Sequence, residues 1–316
     1  MSRFALPPKP DGEAPELQLK GATGLVRIED LPRQAEPKPH CPDCKGHPGY
    51  FFYAQGERAL AKACPCIPVC QRCLDTGTVT AIVDGVVRTG RCRCRRVHDR
   101  VRLFNAAGIP GRYADATYGS YTRGLLAHAD PTSGYMKTLT ELSSWIEGWA
   151  PDHENPGLIL HGPVGRGKTH LLVGVVRELI VRHGIPVRFV EFTRLLAQLK
   201  AGYSEGKSGA SVIDPLVAVP VLAIDELGKG RLTDWELTVI DEVISRRYNA
   251  MACTLGSTNF APGVATGAAP ANAAVVNATP QTLGDRVGDR VYSRLEETCK
   301  FIELVGPDFR HIKRQT

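Results

Sequence analysis

The fold of this 316-residue chain is decided by residues 158–169, which read LILHGPVGRGKT. The apolar residues at its start predict a buried strand, and the apolar run His170–Val176 after it predicts a helix. The eight residues between them match the phosphate-binding pattern GxxxxGK[ST]. In such a loop, backbone N–H groups wrap phosphates, the lysine reaches the β- and γ-phosphates, and the hydroxyl holds Mg²⁺. The candidate nucleotide-binding residues are Gly162, Gly165, Gly167, Lys168 and Thr169.

A second apolar run ends in two carboxylates. The segment Val219–Asp225 predicts a buried strand, and Glu226 follows it directly. Open α/β sheets bind ligands at the carboxyl ends of their strands, so we expect both acids beside the loop. Asp225 would hold Mg²⁺ or its water, and Glu226 would polarise the attacking water as a general base. Asn259 follows another short strand and could contact the γ-phosphate or this water, although an Asn there is more often a turn residue.

Strands and helices alternate over residues 133–316, which predicts a parallel sheet with helices on both faces. The predicted strands are Leu158–His161, Val187–Glu191, Val219–Asp225, Cys253–Ser257 and Phe301–Val305, and the predicted helices lie near 134–148, 168–183, 193–202, 234–250 and 284–297. The segment Phe260–Thr282 is rich in Ala, Gly, Pro and Asn and carries no charge. We expect it to be a long flexible insertion.

Three arginines near the C-terminus are spaced four residues apart, at Arg286, Arg290 and Arg294. This spacing places them on one face of the predicted helix. An exposed basic stripe would explain the pattern. The functional interpretation is that one arginine reaches ATP across a subunit boundary, as an arginine finger.

Residues 40–98 hold eight of the ten cysteines, in two copies of CxxC…CxC whose halves are 19 and 18 residues apart. Such a repeat is hard to obtain by chance. Four thiolates suit tetrahedral zinc, and a site closed by four thiolates has no open position for catalysis. A redox-active or disulfide-linked cluster is the alternative, and it is rare in a reducing compartment. The candidate zinc ligands are Cys41, Cys44, Cys64, Cys66, Cys70, Cys73, Cys92 and Cys94.

The spacing favours pairing within each copy over pairing across copies but leaves both open, and His40, His47 or His98 could replace a cysteine. The stretch Thr78–Val87, with Asp84-Gly85 at its centre, predicts a β-hairpin that returns the chain to the metal. The segments CPDCKGHPG and CQRCLDTG resemble the cysteine-glycine repeats of DnaJ-type zinc regions. Rigid modules of this kind would serve as docking surfaces.

Composition limits the remaining possibilities. Apolar residues make up 43% of the chain, enough for one large and one small domain. We find no apolar run that predicts a membrane span and no stretch of signal-peptide length, so we expect a cytoplasmic protein. Residues 1–105 carry 17 basic against 11 acidic side chains and the rest is neutral, so charge alone does not indicate nucleic acid.

The expected organisation is a flexible segment over 1–39, a double zinc module over 40–98, a connector over 99–132 and an ATPase domain over 133–316.

From about Ala107 to Gln315 the chain resembles the AAA+ ATPases of the bacterial replicative helicase loaders, of the DnaC and DnaI type, and their relatives, the IstB-type transposition helpers. The resemblance is carried by GIPGRY and ATY (108–118), HGPVGRGKTHL (161–171), FVEFTRLL (189–196), VLAIDELG (221–228), Ser257-Thr-Asn259, and GDRVYSRL leading into IELVGPDFR (288–310). It implies an α/β AAA+ domain with a central parallel sheet and no C-terminal helical lid, preceded by a small zinc-binding β-hairpin domain.

The resemblance also implies ATP, Mg²⁺ and ATP hydrolysis. The resemblance assigns to Lys168, Thr169, Asp225 and Glu226 the roles described above. It identifies Asn259 as the sensor 1 residue, which contacts the γ-phosphate. Arg294 corresponds to the finger that acts in trans, and Arg290 is the second candidate. Self-association through the ATP sites follows from such a finger. The segments that face single-stranded DNA in this family contain Arg194, Lys200, Tyr203, Lys207, Lys229, Arg231 and Trp235, for each of which ordinary surface or core packing is the alternative.

The implied function is ATP-dependent loading of a replicative hexameric helicase, with the zinc module docked on the helicase. The doubled zinc module is larger than the zinc-bearing domain of DnaI-type loaders, and the insertion at 260–282 is longer than usual. Three alternatives share some of these features. They are an IstB-type helper ATPase acting with a transposase on duplex DNA, a chaperone-like zinc module that binds unfolded clients, and a regulator that binds nucleotide without turnover.

Overall fold

In the computed structural model the chain divides into two compact units, an N-terminal unit of residues 1–53 and 61–102 and a C-terminal unit of residues 54–60 and 103–316. The structure describes residues 16–18, 25–27, 41–42, 44, 49–67, 73, 78–83, 86–91, 95–130, 134–150, 154–204, 209–230, 233–264 and 282–312. None of the helices within these ranges is long and apolar enough to cross a membrane.

The described strands are β1 (Glu16–Gln18), β2 (Leu25–Arg27), β3 (Tyr50–Gln55), β4 (Arg58–Ala63), β5 (Thr78–Val83), β6 (Val86–Arg91), β7 (Gly157–His161), β8 (Val187–Glu191), β9 (Val221–Asp225), β10 (Cys253–Thr258) and β11 (Cys299–Glu303). The helices are α1 (Arg95–Ala107), α2 (Tyr118–His128), α3 (Tyr135–Gly148), α4 (Lys168–Glu178), α5 (Phe192–Ser204), α6 (Ala210–Ala218), α7 (Asp234–Asn249), α8 (Leu283–Val287), α9 (Asp289–Thr298) and α10 (Phe309–Ile312). A 3₁₀ turn spans Gly111–Tyr113, and a π-helical turn spans Leu179–His183.

The C-terminal unit is built on a five-stranded sheet in the order β11-β7-β10-β9-β8, and all of its strand pairs are parallel. Every residue of β9 and β10 is buried. A strand covered on both faces needs apolar side chains on both, which is why β9 begins with the continuous apolar run Val221–Ile224. The predicted α/β architecture with a parallel sheet is therefore confirmed.

Helices α5, α6, α7 and α9 contribute buried side chains to one core cluster, together with residues of β7 and β9. Helix α7 begins with a capping box in which Thr233 and Glu236 satisfy each other's backbone N–H groups. The helix predicted over 284–297 is two helices, because Gly288 adopts a φ of +87° between α8 and α9. Arg286 therefore lies on a different helix from Arg290 and Arg294, and the predicted three-arginine stripe is wrong.

Residues expected to form a connector belong to the C-terminal unit from Leu103 onward. They include α2, which packs against α4. The buried guanidinium of Arg177 on α4 donates to the carbonyl oxygens of Ala114 and Ala116, at 3.2 and 2.9 Å. The unit thus begins about thirty residues before the predicted start at 133. The sequence analysis missed this because the Gly- and Pro-containing segment before α2 has the local pattern of a loop.

In the N-terminal unit, β5 and β6 form the predicted hairpin, with Val83 opposite Val86. Strands β1 and β2 extend it to a four-stranded antiparallel sheet in the order β2-β1-β5-β6. Residues 16–18 and 25–27 thus form two short strands within the segment 1–39, which was predicted to be flexible. A hairpin edge offers unpaired backbone groups to which a short strand can bond.

The two ends of the segment predicted to be an insertion are joined by hydrogen bonds. Leu283 N donates to Ala261 O at 2.8 Å, and Gly284 N donates to Gly263 O at 2.9 Å. Phe260 packs against the core cluster. The remainder of the segment, 265–281, lies outside the described residues, so its predicted flexibility stays a prediction.

Candidate functional site

The loop before α4 has the backbone that a phosphate-binding loop requires. Gly162, Gly165 and Gly167 have φ values of +134°, +87° and +79°, which favour glycine. The Lys168 ammonium, which is buried, donates to the carbonyl oxygens of Gly162 and Pro163, at 2.8 and 2.7 Å. Burial lowers the pKa of Lys168 to about 8, and the charge of Asp225 opposes this shift. The amine is thus held inside the loop, where it can bind an anion.

Asp225 stands at the end of β9 and receives two hydroxyl hydrogen bonds. Thr169 Oγ1 donates to Asp225 Oδ1 at 2.9 Å, and Ser257 Oγ donates to the same oxygen at 2.5 Å. Burial raises the pKa of Asp225, while these hydrogen bonds lower it. A carboxylate and a hydroxyl side by side are hard oxygen donors of the kind that Mg²⁺ accepts. The residues present therefore fit a magnesium site.

Glu226 leaves β9 in a left-handed conformation, with a φ of +57°. This is uncommon for a residue with a side chain, and such conformations cluster at functional sites. Glu226 N donates to Ser257 Oγ at 3.2 Å, and Leu227 N donates to Ser257 O at 2.7 Å. The turn keeps Asp225 buried and brings Glu226 to the pocket wall. There the Glu226 carboxylate accepts a hydrogen bond of 2.6 Å from Lys229.

These groups surround a pocket of about 500 Å³, a volume within the usual range for small-molecule sites. Asn259, after the end of β10, belongs to its wall, as predicted from its place in the chain. Sequence reasoning did not assign several other wall residues to the site, among them Tyr121 on α2 and Phe309 and Arg310 on α10. The pocket is lined by Tyr113, Tyr121, Val164, Gly165, Gly167, Lys168, Thr169, His170, Glu226, Lys229, Ser257, Thr258, Asn259, Phe309 and Arg310.

Arg290 and Arg294 lie on one face of α9 and are not among the residues that line this pocket. Arg294 Nη1 lies 2.8 Å from Asp241 Oδ1 on α7, and Arg290 Nη2 lies 3.8 Å from Asp241 Oδ2. The Arg294 guanidinium also stands over the ring of Tyr248, 5.9 Å from its centroid. Arg286 differs, because its Nε donates to Gly228 O at 2.9 Å.

Four thiols of the first CxxC…CxC copy come together in the N-terminal unit. The Sγ atoms of Cys41, Cys44, Cys64 and Cys66 all lie within 4.8 Å of one another. The Cys41–Cys64 distance is 3.6 Å and the Cys44–Cys66 distance is 3.8 Å. A tetrahedron with metal–sulfur bonds of about 2.3 Å has edges of about 3.8 Å, so this donor set fits zinc. These four cysteines form no disulfide, and they belong to one copy of the repeat.

The second copy is described only at Cys73, which is buried. Its other predicted ligands, Cys70, Cys92 and Cys94, lie outside the described residues. A second zinc site therefore stays a prediction.

Several residues considered for DNA contact have acidic partners. Lys200 Nζ lies 2.8 Å from Glu236 Oε1 and stands over the ring of Trp235. Arg194 pairs with Glu57 at 3.0 Å. Lys229 binds Glu226, as described above. The side chain of Tyr203 and the residues Lys207 and Arg231 are outside the described part.

Comparison with known proteins shows what the C-terminal unit is similar to. The model of the IstB-like ATP binding proteins matches residues 126–261. The replicative helicase loader DnaC of Escherichia coli is 25% identical over 178 residues, which are 56% of this chain and 69% of DnaC. The C-terminal unit is therefore similar to AAA+ helicase loaders and to IstB-like ATP binding proteins. The resemblance derived from the sequence is therefore confirmed, and the match to a family of ATP binding proteins supports ATP binding.

Two other relatives are similar over about half of this chain. A putative ATP-binding protein in an insertion sequence of Mycobacterium tuberculosis is 29% identical over 160 residues, 50% of this chain and 57% of that protein. The uncharacterised protein YqaM of Bacillus subtilis is 26% identical over 163 residues, and the match spans half of its length. Among solved structures, the DnaC helicase loader has a TM-score of 0.48 at 27% identity, covering 61% of this chain and 99% of that chain.

Proposed function

We propose that this AAA+ chain is an ATP-dependent loader of a replicative DNA helicase. The observation that carries the proposal is the pocket lined by Lys168, Thr169 and Glu226, with Asp225 bonded to Thr169, in a chain similar to a replicative helicase loader. The pocket brings the groups for phosphate binding and water activation together, and the similarity to DnaC supports the biological task.

In this proposal the loop N–H groups and Lys168 bind the ATP phosphates. Thr169 and Asp225 would hold Mg²⁺, which neutralises charge that develops on the phosphates. Glu226 accepts the proton of the attacking water as Lys229 releases its carboxylate. Asn259, which also lines the pocket, orients that water or the γ-phosphate.

Arg294 would complete the site of a neighbouring subunit, with Arg290 as the second candidate. Arg294 is not among the residues that line the pocket of its own chain, which supports action in trans, and Asp241 would hold it in the resting subunit. Subunits would then associate through their ATP sites, and loss of the γ-phosphate would weaken that contact. The zinc module would dock on the helicase while the AAA+ domain grips single-stranded DNA.

Native mass spectrometry of the full chain mixed with the hexameric replicative helicase of its host tests this function. We expect a defined complex whose stoichiometry changes between ATP–Mg²⁺ and ADP. The Lys168→Ala variant should lose the nucleotide effect. Absence of any complex, with zinc bound to the protein, would contradict the loader proposal.

A second candidate function is that of a helper ATPase in transposition. It is favoured by the match to the IstB-like family and by the similarity to a protein in an insertion sequence. This function predicts ATP-dependent assembly on duplex DNA and binding to a transposase in place of the helicase. Electrophoretic mobility shifts with duplex and single-stranded DNA of equal length separate the two candidates.

A further inference from the structure

The hairpin of β3 and β4, beside the four-thiol cluster, carries a pair of aromatic side chains on one face. Phe51 and Tyr53 alternate along β3 with Tyr50 and Phe52, so each pair lies on its own face of the strand. The ring centroids of Phe51 and Tyr53 are 6.0 Å apart, and their planes are tilted by 30°. Both rings are partly exposed, whereas Tyr50 is buried. An antiparallel ribbon usually presents polar side chains to water, so this aromatic pair is unusual for a solvent-facing surface.

A lysine from the neighbouring strand stands over both rings. Lys62 Nζ lies 4.8 Å from the centroid of the Phe51 ring and 5.9 Å from that of Tyr53. Lys62 is exposed and Ala61 before it is buried, which agrees with a lysine on the same outer face as the two rings. We call Phe51, Tyr53 and Lys62 the ribbon face. It places two aromatic rings and a flexible cation together on the surface.

The candidate zinc site lies at the open end of this hairpin. Strand β4 ends directly before Cys64, and Cys64 N donates to the carbonyl oxygen of Gly49, directly before β3, at 3.0 Å. Cys64 also supplies one thiol of the four-thiol cluster. Metal binding would therefore hold the two strands together at this end. The rings are then in place before a ligand arrives, and binding loses less conformational entropy.

The charge of this part of the chain favours an anionic partner. Residues 41–53 and 61–102 carry ten basic and four acidic side chains. This excess is larger than the charge of about −4 that two zinc ions with four thiolates each would bring. An acidic peptide would pair with the cations, but its carboxylates gain nothing from the negative faces of aromatic rings. A single-stranded nucleic acid suits both features, because it offers a phosphate for the cation and a base for each ring.

We propose that the ribbon face binds single-stranded nucleic acid, with bases stacked on Phe51 and Tyr53 and a phosphate held by Lys62. Stacking of a base on an aromatic ring is stronger than an exposed cation–π contact, so an incoming base displaces the ammonium from the rings. The flexible four-carbon stem of lysine then lets the ammonium reach the phosphate. Aromatic side chains of a sheet stack bases in the same way in RNA-recognition modules. The ribbon face shares no residue with the nucleotide pocket, so this inference does not depend on the loader function.

The test is fluorescence anisotropy of the zinc-loaded full chain with fluorescein-labelled oligo(dT) of about 16 nucleotides, without ATP. We expect Phe51→Leu and Tyr53→Leu each to weaken binding about tenfold, because the apolar area stays and the stacking is lost. Tyr53→Phe keeps the ring and should bind within about twofold of the wild type. Lys62→Ala should weaken binding less than the leucine variants. It should also lower the slope of log affinity against log salt concentration by about 0.7, because one phosphate contact is gone.

Two further variants separate direct stacking from indirect effects. Phe51→Trp should keep the affinity, and its added fluorescence should be quenched by oligo(dT), which a ring with a merely structural role would not show. Lys137→Ala is the matched control for charge, since Lys137 is an exposed lysine of the C-terminal unit that lies 4.0 Å from Glu141. It should bind oligo(dT) like the wild type. Unchanged zinc content and thermal melting of the leucine variants would show that weaker binding is not a folding defect.

The inference is overturned if the leucine variants bind within about twofold of the wild type, or if the wild type does not bind oligo(dT). Equal affinity for a duplex of the same length would also overturn it, because paired bases cannot stack on the rings. If the leucine variants keep their affinity for oligo(dT) but lose the helicase complex, the ribbon face is a protein-docking surface and the inference is wrong. If the wild type binds oligo(dT) through these rings but forms no helicase complex, the inference stands and only the loader function is overturned.

Discussion

Glu226 is one of two residues other than glycine that have a positive φ in the described part of the chain, and its side chain lies at the pocket wall. We expect Glu226→Gln to lower ATP hydrolysis by about 10²- to 10⁴-fold, since an amide cannot accept the proton of water. Affinity for ATP should stay within about twofold, because the interaction is made only in the transition state. Steady-state phosphate release and nucleotide anisotropy measure the two effects. The exposed Glu242→Gln on α7 is the control, and equal loss of affinity and turnover in Glu226→Gln would contradict the general-base role.

Lys168 gives the pocket a dependence on pH. Its ammonium, with a pKa lowered to about 8, is charged below that pH and neutral above it. Phosphates favour the charged form, so binding above pH 8 must take up a proton. We expect the affinity for ATP to be nearly constant below pH 8 and to fall by up to about tenfold per pH unit above it.

Anisotropy titrations between pH 7 and pH 9.5 measure this dependence. Lys168→Arg is the matched control, because a guanidinium stays protonated over the whole range. The affinity of Lys168→Arg for ATP, although weaker than that of the wild type, should not change over this pH range. Parallel pH profiles for the wild type and Lys168→Arg would show that another group is responsible.

At the scale of helices and strands, the sequence predicted those elements whose burial shows directly in the apolar pattern of their own residues. Strand β9 is buried on both faces and reads as an unbroken apolar run, so its position was clear. Helix α6 was missed because Pro215 lies inside it. The break between α8 and α9 was missed because a single glycine is tolerated in a helical pattern, and only the positive φ of Gly288 reveals it.

Arg247 shows how one side chain can hold several elements together. It is fully buried on α7, and its guanidinium donates to the carbonyl oxygens of Leu216, Val219 and Cys253, at 2.7, 2.8 and 2.5 Å. These carbonyls lie near the ends of α6, β9 and β10. Arg247→Met would leave them without a donor, which we expect to cost about 3 kcal/mol of unfolding free energy.

The corresponding fall in melting temperature is about 6–12 °C for a unit of this size. Differential scanning calorimetry measures it. Arg246→Met is the control next in sequence, because Arg246 is exposed and pairs with Asp214 and Glu242 on the surface. It should change the stability by less than about 0.5 kcal/mol. Similar effects of the two substitutions would mean that the buried carbonyl contacts contribute little.

At the scale of the whole molecule, the parts of the site that follow a strand in sequence could be predicted, and the parts brought in by tertiary packing could not. Asp225 and Glu226 are marked by the apolar run before them. Ser257 carries no comparable signal, since its hydrogen bond to Asp225 depends on β10 lying beside β9. Arg310 lies far from the loop in sequence, and only the parallel pairing of β11 with β7 returns the chain there.

The division into two units makes the zinc cluster and the nucleotide pocket separable by mutation. The four clustered thiols belong to the N-terminal unit, and every residue that lines the pocket belongs to the C-terminal unit. We expect Cys64→Ser to lower the zinc content by about one ion per chain, because a structural site needs all four ligands. Affinity for ATP should remain within about twofold of the wild type, since none of the pocket residues is changed.

Inductively coupled plasma mass spectrometry and nucleotide anisotropy on the same preparations measure both quantities. Cys299→Ser, a buried thiol of the C-terminal unit, is the control that should keep all zinc. Under the proposed function, Cys64→Ser should also lose the helicase complex while it still binds ATP, because the docking surface is folded around the metal. A variant that keeps its full zinc content would contradict the four-thiolate site. One that loses zinc but still forms the complex would move the docking surface to the C-terminal unit.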